Sequence, residues 1–298
     1  MHDLHFSVVI PTCNRPTTLL ACLSGLGRLS YPRDRFEVVV VNDGSRIPPA
    51  EELARATPGI RLRLLHQAHQ GPAIARNTGA QAASGRYLAF LDDDCVPHPE
   101  WLAGLGHRLE RKPDALIGGR TVNAVGGDAF SDATQLMVDF LTHYYDASTP
   151  DRTRFFATCN LALGATLFRQ TGGFDRQFTY AAGEDRDFCD RWHLAGRPSE
   201  FAAEAVVHHY HRLDLPAYLA QHFRYGRGAL RFHHARRARR AAVRTPPLSF
   251  YLDLVRYPLA HRPRGQGATR AALLLAAQAA TAAGYCWEGA VGGSSARG

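Results

Sequence analysis

The sequence predicts an α/β fold, with a mainly parallel central sheet flanked by helices and a helical extension after it. Three observations support this. Apolar runs alternate with helix-like stretches between residues 6 and 209. Most of these runs are continuously apolar, which is typical of strands buried on both faces of a parallel sheet. Near residue 212 the composition changes, and arginine becomes the dominant charged residue.

The first part of the chain supplies strands and helices in turn, and this alternation implies parallel pairing. A helix is predicted to begin near Pro16, because proline is favoured in the first helical turn, and another spans 72–83. Buried or half-buried strands are predicted at 6–10, 36–41, 60–65 and 87–91.

The middle of the chain is less regular. An amphipathic helix is predicted at 184–196, where Gly196 ends it. The other predicted elements are a helix at 99–111 and strands at 115–122, at 159–168 (broken by Gly164) and at 200–209. We therefore expect one domain over 1–212 and a basic, mostly helical extension over 213–298.

The extension is strongly basic. From Arg212 to Arg270 it has thirteen arginines and two acidic residues. Nucleic-acid binding is disfavoured, because no known nucleic-acid module is present. Peripheral attachment to an anionic membrane through 233–240 and nearby aromatic residues stays open beside simple packing on the first domain. The apolar stretch 268–287 is mostly alanine, so we expect a packed or surface-lying helix rather than a spanning one.

Several function classes are excluded by what the sequence lacks. Lys112 is the only lysine and precedes a proline, so neither a phosphate-binding P-loop nor a Schiff-base site is expected. The turn after the first strand, PTCNR, has no glycine, which disfavours a dinucleotide-binding fold. The six cysteines form no CxxC pair and no signal peptide is recognisable, so a reduced, cytoplasmic setting is expected.

Polar residues follow three of the buried strands. The first strand ends in PTCNR, the second in NDGS and the fourth in Asp92-Asp93-Asp94. Ligands of open parallel sheets bind beyond the carboxyl ends of the strands. Three adjacent carboxylates repel one another, and a divalent cation such as Mg²⁺ or Mn²⁺ would offset the repulsion. A solvated acidic turn is the alternative, but the position beside two other polar strand ends favours a site.

Two further clusters can carry chemistry. Glu184 and Asp185 open the amphipathic helix, where the helix dipole favours ionised carboxylates that can act as a general base. Taken alone, acidic residues in a first turn more often serve as helix caps. The HHYH run at 208–211 can complete a metal site, although fifteen histidines in the chain make a chance cluster plausible.

Together these residues resemble the family 2 inverting glycosyltransferases, which have the GT-A fold. The resemblance covers roughly residues 6–212. It rests on five motifs in consistent order, namely SVVIPTCNR, VVVVNDGS, GPAIARNTGAQAASGRYLAFLDDD, TGGFD and GEDRDFCDRW.

The resemblance implies a role for each candidate residue. Asp94 would bind a Mn²⁺ or Mg²⁺ ion directly, and His209 would close the metal site, with a register uncertain by one or two residues. Asp185 would be the catalytic base, and Glu184 would touch the acceptor or the sugar. The donor, expected to be a UDP-sugar, would be bound by Pro11, Thr12, Asn14, Asp43, Arg76, Asn77, Asp92, Asp93 and Asn160.

Transfer would then proceed by a single displacement with inversion at the anomeric carbon. Two alternatives stay open, a sugar nucleotidyltransferase and a non-catalytic nucleotide-sugar-binding protein. The first would carry a glycine-rich, lysine-bearing loop after the first strand, and the intact acidic motifs argue against the second. The acceptor is not specified. Cytoplasmic placement, with peripheral attachment to the inner face of the membrane, is the expected localisation.

Overall fold

A computed structural model describes residues 5–48, 50–145, 155–243 and 245–295 of the chain, with side chains up to residue 291. The chain divides into two compact units. The first runs up to Ala124 and includes Phe156–Thr179 and Phe188–Tyr210. The second consists of Val125–Phe155, Tyr180–Asp187 and the chain from His211 onward. Its last segment begins next to the boundary expected at residue 212, and two earlier segments belong to it as well.

The first unit is built on an eight-stranded sheet with the order β3-β2-β1-β4-β7-β6-β8-β5. Parallel pairs join β1 to β2 and β4, β2 to β3, and β6 to β8, whereas β7 and β5 pair antiparallel. The strands are β1 (Phe6–Thr12), β2 (Phe36–Asp43), β3 (Arg61–Gln67), β4 (Tyr87–Leu91), β5 (Cys95–Pro97), β6 (Leu116–Asn123), β7 (Asn160–Gly164) and β8 (Ser199–His209).

Helices flank this sheet and form most of the second unit. They are α1 (Pro16–Leu26), α2 (Ala50–Ala56), α3 (Pro72–Ala82), α4 (Trp101–Arg111), α5 (Ala129–Tyr144), α6 (Ala165–Gln170), α7 (Glu184–Leu194), α8 (Leu215–Ala238), α9 (Leu248–His261) and α10 (Arg264–Ser295). The predicted α/β class, the mainly parallel sheet and the helical C-terminal part are confirmed.

One predicted element is wrong in part. The strand expected over 159–168 ends at Gly164, and the rest of that segment is the short helix α6. An apolar run shows burial but not the period that separates strand from helix over so few residues. The sequence also did not predict β5, α2 or α5. β5 has three residues, one of them a proline, so it resembles a turn.

Both faces of the sheet are buried, as the continuous apolar runs predict. Val8 and Ile10 of β1 belong to the core beneath α1 and α4, together with Val38 and Val40 of β2. Val9 points to the other face and packs with residues of α3, β4 and β7. Alternating side chains of one strand therefore serve two cores.

β8 contains an irregularity that matters for the site. Gly119 of β6 pairs with Ala202, but the next residue, Arg120, pairs with Val206. Residues 203–205 therefore bulge out of the ladder. Arg108 of α4 donates to the Glu204 carboxylate at 2.6 Å and 3.0 Å, which holds the bulge against the helix.

The second unit has its own core, where α5, α8, α9 and α10 pack together. Phe140, Tyr218, Phe250, Leu254 and Leu274 are among its buried side chains. Phe232 is buried too, so it and Phe250 are not the interfacial residues that the sequence suggested. None of the described helices is both long and apolar enough to cross a membrane.

Gly79 provides a test of the packing between α3 and the sheet. A Cβ at this position would lie 2.4 Å from Val9 Cγ1 and 3.1 Å from Val41 Cγ2. We expect Gly79→Ala to lower the free energy of unfolding by about 1–3 kcal/mol, because the added methyl group would push α3 away from the strands that carry Val9 and Val41. Gly289→Ala is the control, since its Cβ would meet only Leu230 at 3.5 Å. Urea unfolding that shows equal stability for both variants would contradict this packing.

Candidate functional site

The carboxyl ends of β1 and β4 meet, as the sequence predicts. The Thr12 hydroxyl, at the end of β1, donates to the Asp93 carboxylate at 2.7 Å. Thr12 is paired in register with Asn42 of β2, which brings a third polar strand end to the same edge. Parallel pairing of these strands places their ends together.

Each of the three aspartates has a cationic partner from a different part of the first unit. Because Asp93 is buried, its pKa is raised to about 6, although Arg15 and Thr12 oppose the shift. The closest pairs are Arg76–Asp92 at 2.6 Å, Arg15–Asp93 at 3.2 Å, Arg15–Asp94 at 2.7 Å and His209–Asp94 at 3.3 Å. Sequence analysis missed Arg15, whose place in the PTCNR turn beside the expected nucleotide pocket was the available signal.

Arg76 and Asn77 come from α3 and have different surroundings. The Arg76 side chain is 3% exposed, and its guanidinium lies 6.0 Å from the centre of the Phe174 ring. Asn77 forms two hydrogen bonds to the Phe174 backbone, at 2.8 Å and 2.9 Å. Asn77 therefore holds the TGGFD loop against α3, while Arg76 holds Asp92.

Asp43 organises the loop before α3. Its carboxylate accepts hydrogen bonds from the Gln67 side chain at 2.7 Å and from the N–H groups of Gln70 and Gly71, both at 2.9 Å. Gly71 has φ +93°, and a Cβ there would lie 2.5 Å from the Thr179 carbonyl oxygen. Only glycine fits this turn without strain. The contact between Asp43 and the base stays a prediction.

The other residues expected at the donor pocket differ in exposure. Pro11 is half-buried in β1, opposite Val41. Asn14 is exposed and has φ +58°. Asn160 is buried in the first unit, where it accepts from Trp101 Nε1 at 2.9 Å and both its amide hydrogens donate to the carbonyls of Arg120 and Ala205. These contacts join three strands and a helix, and the expected contact of Asn160 with the donor stays a prediction.

His209, rather than His208, belongs with the triple aspartate. β5 pairs antiparallel with β8, so that Cys95 lies opposite His209 and Val96 lies opposite His208. Although burial would lower the pKa of His209, the Asp94 carboxylate raises it to about 9. In the described structure the His209 ring contacts Asp94, and its role as a metal ligand stays a prediction.

The donor atoms around Asp94 suit a divalent cation. A carboxylate oxygen of Asp94, the Cys95 sulfur and a His209 ring nitrogen all lie within 4.8 Å of one another. Carboxylate and imidazole are common ligands of Mn²⁺. The Arg15 guanidinium lies against Asp93 and Asp94, so these carboxylates already attract a positive charge. Cys95 was missed from the sequence, although it directly follows the acidic run.

The acidic first turn of α7 belongs to the second unit. Glu184 is buried, Asp185 is half-buried, and the Asp185 carboxylate accepts from the Arg186 N–H at 2.7 Å. Asp187 is fully buried and pairs with Arg239, beyond the end of α8, at 2.7 Å. This ion pair fixes the start of α7.

Side chains of α8 hold the same segment through aromatic contacts. The guanidinium of Arg186 lies 4.8 Å from the Phe232 ring centre. The Tyr180 ring lies 4.8 Å from the Arg227 guanidinium and 5.4 Å from that of Arg231. The basic extension therefore positions the segment that carries Asp185, a role that sequence analysis did not assign to it.

Comparison with known proteins agrees with this geometry. The family model of glycosyl transferase family 2 matches residues 7–171. A pre-mycofactocin glycosyltransferase of Mycobacterium tuberculosis is 33% identical over 229 residues, which cover 75% of this chain and 46% of that protein. Glycosyltransferase AglE of Haloferax volcanii is 29% identical over 232 residues, covering 75% of this chain and 72% of that protein. The chain thus spans less than half of the first relative's length.

Solved structures share the fold. The mannosyltransferase PcManGT of Pyrobaculum calidifontis, in complex with GDP-Man and Mn²⁺, matches with a TM-score of 0.61 at 21% identity, over 97% of this chain and 84% of that one. Residues 1–349 of S. aureus TarS, in complex with UDP-GlcNAc, match with a TM-score of 0.55 at 15% identity, over 95% and 89%. The expected GT-A fold is confirmed. Because the family model covers more than half of the chain, the protein belongs to glycosyl transferase family 2.

Proposed function

We propose that this enzyme moves a sugar from a UDP-sugar to a hydroxyl acceptor, with inversion and with a divalent cation held by Asp94 and His209. The observation that carries the proposal is the 3.3 Å contact between these two side chains beyond the end of β4. Structural neighbours were solved with UDP-GlcNAc and with GDP-Man and Mn²⁺. These complexes support a nucleotide sugar as the donor.

The residues of the first unit would bind and orient the donor. Thr12 and Arg15 fix Asp93, and Arg76 fixes Asp92, so that both carboxylates are rigid partners for the ribose hydroxyls. When bound, a Mn²⁺ or Mg²⁺ ion supplies positive charge that neutralises the diphosphate leaving group. Arg15 would release Asp94 as the cation binds.

The second unit would supply the proton acceptor. Asp185 lies in the first turn of α7, where the helix dipole favours the ionised carboxylate. It would take the proton of the acceptor hydroxyl while that oxygen attacks the anomeric carbon. Glu184, beside it, would contact the acceptor or the sugar.

We also propose that the second unit attaches to an anionic membrane surface through one face of α9. Leu248, Tyr251, Leu252 and Leu259 lie on this face and are 74%, 38%, 47% and 52% exposed. The opposite side of α9 carries Phe250 and Leu254, which are buried against α5 and α10. The helix α9 therefore has two apolar faces. Among the described residues, the face with Leu252 and Leu259 is exposed and has no packing partner.

Charge favours a membrane as the occupant of this face. Residues 211–298 include fourteen arginines and three acidic residues. Arg256, exposed on α9, borders the apolar face, and Arg264 follows the helix closely. Leucine side chains flanked by arginine are typical of helices that lie in the interface of an anionic bilayer. A lipid-linked acceptor would suit an enzyme held there.

Removal of the proposed metal ligand is the first test. We expect Asp94→Ala to lower the affinity for Mn²⁺ and for UDP in the presence of Mn²⁺ by about 100-fold or more, because the cation loses its carboxylate. Isothermal titration calorimetry measures both affinities. Asp114→Ala, an exposed carboxylate elsewhere in the first unit, is the matched control. Unchanged Mn²⁺ binding in Asp94→Ala would contradict the metal site.

The pH dependence of Mn²⁺ binding tests the role of His209. Its pKa is raised to about 9 in the metal-free protein. The cation must displace that proton, so the Mn²⁺ affinity should rise about tenfold per pH unit below pH 9 and level off above it. Titrations between pH 7 and 9.5 measure this slope. His209→Gln should flatten the dependence of Mn²⁺ affinity on pH, and His208→Gln should leave it unchanged. A flat dependence in His208→Gln, with the slope kept in His209→Gln, would identify His208 as the ligand instead.

Replacement of the proposed base separates donor binding from transfer. Asp185→Asn should bind UDP-sugar with wild-type affinity but lose transfer by about 10²–10⁴-fold, because it cannot accept the proton. The rate of nucleoside diphosphate release, UDP from UDP-sugars and GDP from GDP-sugars, measures transfer across a donor panel and also tests which base the donor carries. Asp253→Asn, exposed on α9, is the control. Wild-type turnover in Asp185→Asn would exclude this residue as the base.

Vesicle binding tests the α9 surface. Leu252→Glu and Leu259→Glu should each weaken co-sedimentation with phosphatidylglycerol-containing vesicles by about tenfold, since one buried leucine contributes about 1.5–3 kcal/mol. The control is Leu275→Glu on α10, which is 61% exposed and lies off this face. Light scattering checks self-association. If the α9 variants change the oligomeric state and not vesicle binding, the face is an interface between protein copies.

A further inference from the structure

The Cys95 thiol lies beside the proposed metal ligands Asp94 and His209, where it can bind the same cation. It directly follows Asp94 and lies opposite His209 in the antiparallel pairing of β5 with β8. Side chains directly opposite each other in such a pair lie on the same face. The Cys95 N–H donates to the Asp92 carbonyl at 3.1 Å, and the Tyr210 N–H donates to the Asp94 carbonyl at 2.8 Å. The backbone around the three side chains is therefore fixed.

Two separations among the three ligand atoms are close to those in a tetrahedral site. Zinc–sulfur and zinc–nitrogen bonds of about 2.3 Å and 2.05 Å at tetrahedral angles place the ligand atoms about 3.4–3.6 Å apart. Asp94 Oδ1 lies 3.3 Å from His209 Nε2 and 3.8 Å from Cys95 Sγ. All three ligand atoms lie within 4.8 Å of one another, so movements of the side chains would close the site around one ion.

The Asp94 carboxylate orients the Cys95 thiol. Cys95 Sγ donates to Asp94 Oδ1 at 3.8 Å, whereas the rest of its surroundings belong to the hydrophobic core of the first unit. Groups that hydrogen-bond to a metal ligand hold it in position for the ion.

We propose that Cys95 is a third protein ligand when a soft divalent cation, Zn²⁺ or Co²⁺, occupies the centre at Asp94 and His209. The thiol releases its proton to solvent as the metal–sulfur bond forms. Mn²⁺ and Mg²⁺ use the oxygen and nitrogen ligands and leave the thiol protonated, because thiolate favours softer ions. Cys95 thus determines which cations the centre prefers. The inference rests on the proposed metal site of the transferase.

Cobalt spectroscopy tests the sulfur ligand without reference to activity. Co²⁺ added to the reduced, full-length protein should produce the near-ultraviolet absorption of a thiolate-to-cobalt charge transfer. Cys95→Ser, which keeps the side-chain shape, and Cys95→Ala should both lose this absorption. Cys286→Ala, an exposed cysteine of α10, is the control and should keep it. No absorption in the wild type, or absorption that survives both Cys95 variants, overturns the proposal.

Affinities separate this inference from the proposed function. Zn²⁺ binds most sites more tightly than Mn²⁺. The informative quantity is therefore the change in the affinity for each ion when Cys95 is substituted. Cys95→Ser should weaken Zn²⁺ about tenfold or more and Mn²⁺ less than about threefold. Equal losses for the two ions would overturn the sulfur ligand and leave the Mn²⁺ site in place. If Asp94→Ala leaves Mn²⁺ binding intact, the proposed metal site itself fails.

Discussion

Neutralisation of three adjacent carboxylates at the end of β4 is the constraint on which the proposed donor site depends. Ionised groups this close raise one another's pKa unless cations lie against them. The cations come from three parts of the first unit, namely Arg76 of α3, Arg15 of the turn after β1, and His209 of β8. The Arg76 side chain is 3% exposed and that of Arg15 is 48% exposed. Arg76 is thus a fixed part of the fold, whereas the Arg15 side chain is half open to solvent while it pairs with Asp93 and Asp94.

The proposed chemistry is divided between the two units of the chain. The residues expected to bind the donor and the cation belong to the first unit, and Glu184 and Asp185 belong to the second. The basic helix α8 holds the segment 180–187 by an ion pair at Asp187 and by cation–π contacts at Tyr180. Arginines that appeared in the sequence to be a separate appendage therefore position the proposed base.

Sequence reasoning succeeded where one local signal specified one local structure. Continuous valine runs predicted β1 and β2, and the polar residues after them predicted the shared edge. It failed where the neighbouring strand determines the structure. β7 and β5 pair antiparallel with their neighbours, and an apolar run carries no information about strand direction. The sequence favoured His209 over His208 only with an uncertain register, because the alternation beyond residue 205 depends on the bulge in β8. The amide of Asn160 joins strands of the fold, and its expected contact with the donor stays a prediction.

The bulge at 203–205 makes chain length, rather than residue identity, the property that this part of β8 must keep. Three extra residues are an odd number, so the bulge reverses which side chains face each side of the sheet beyond it. An insertion of one residue that leaves the bulge unchanged would move His208 into the place of His209 beside Asp94. A deletion of one residue would instead bring Tyr210 to that place, and the centre would lose its imidazole. The doubled histidine therefore protects this centre against a one-residue insertion and not against a one-residue deletion.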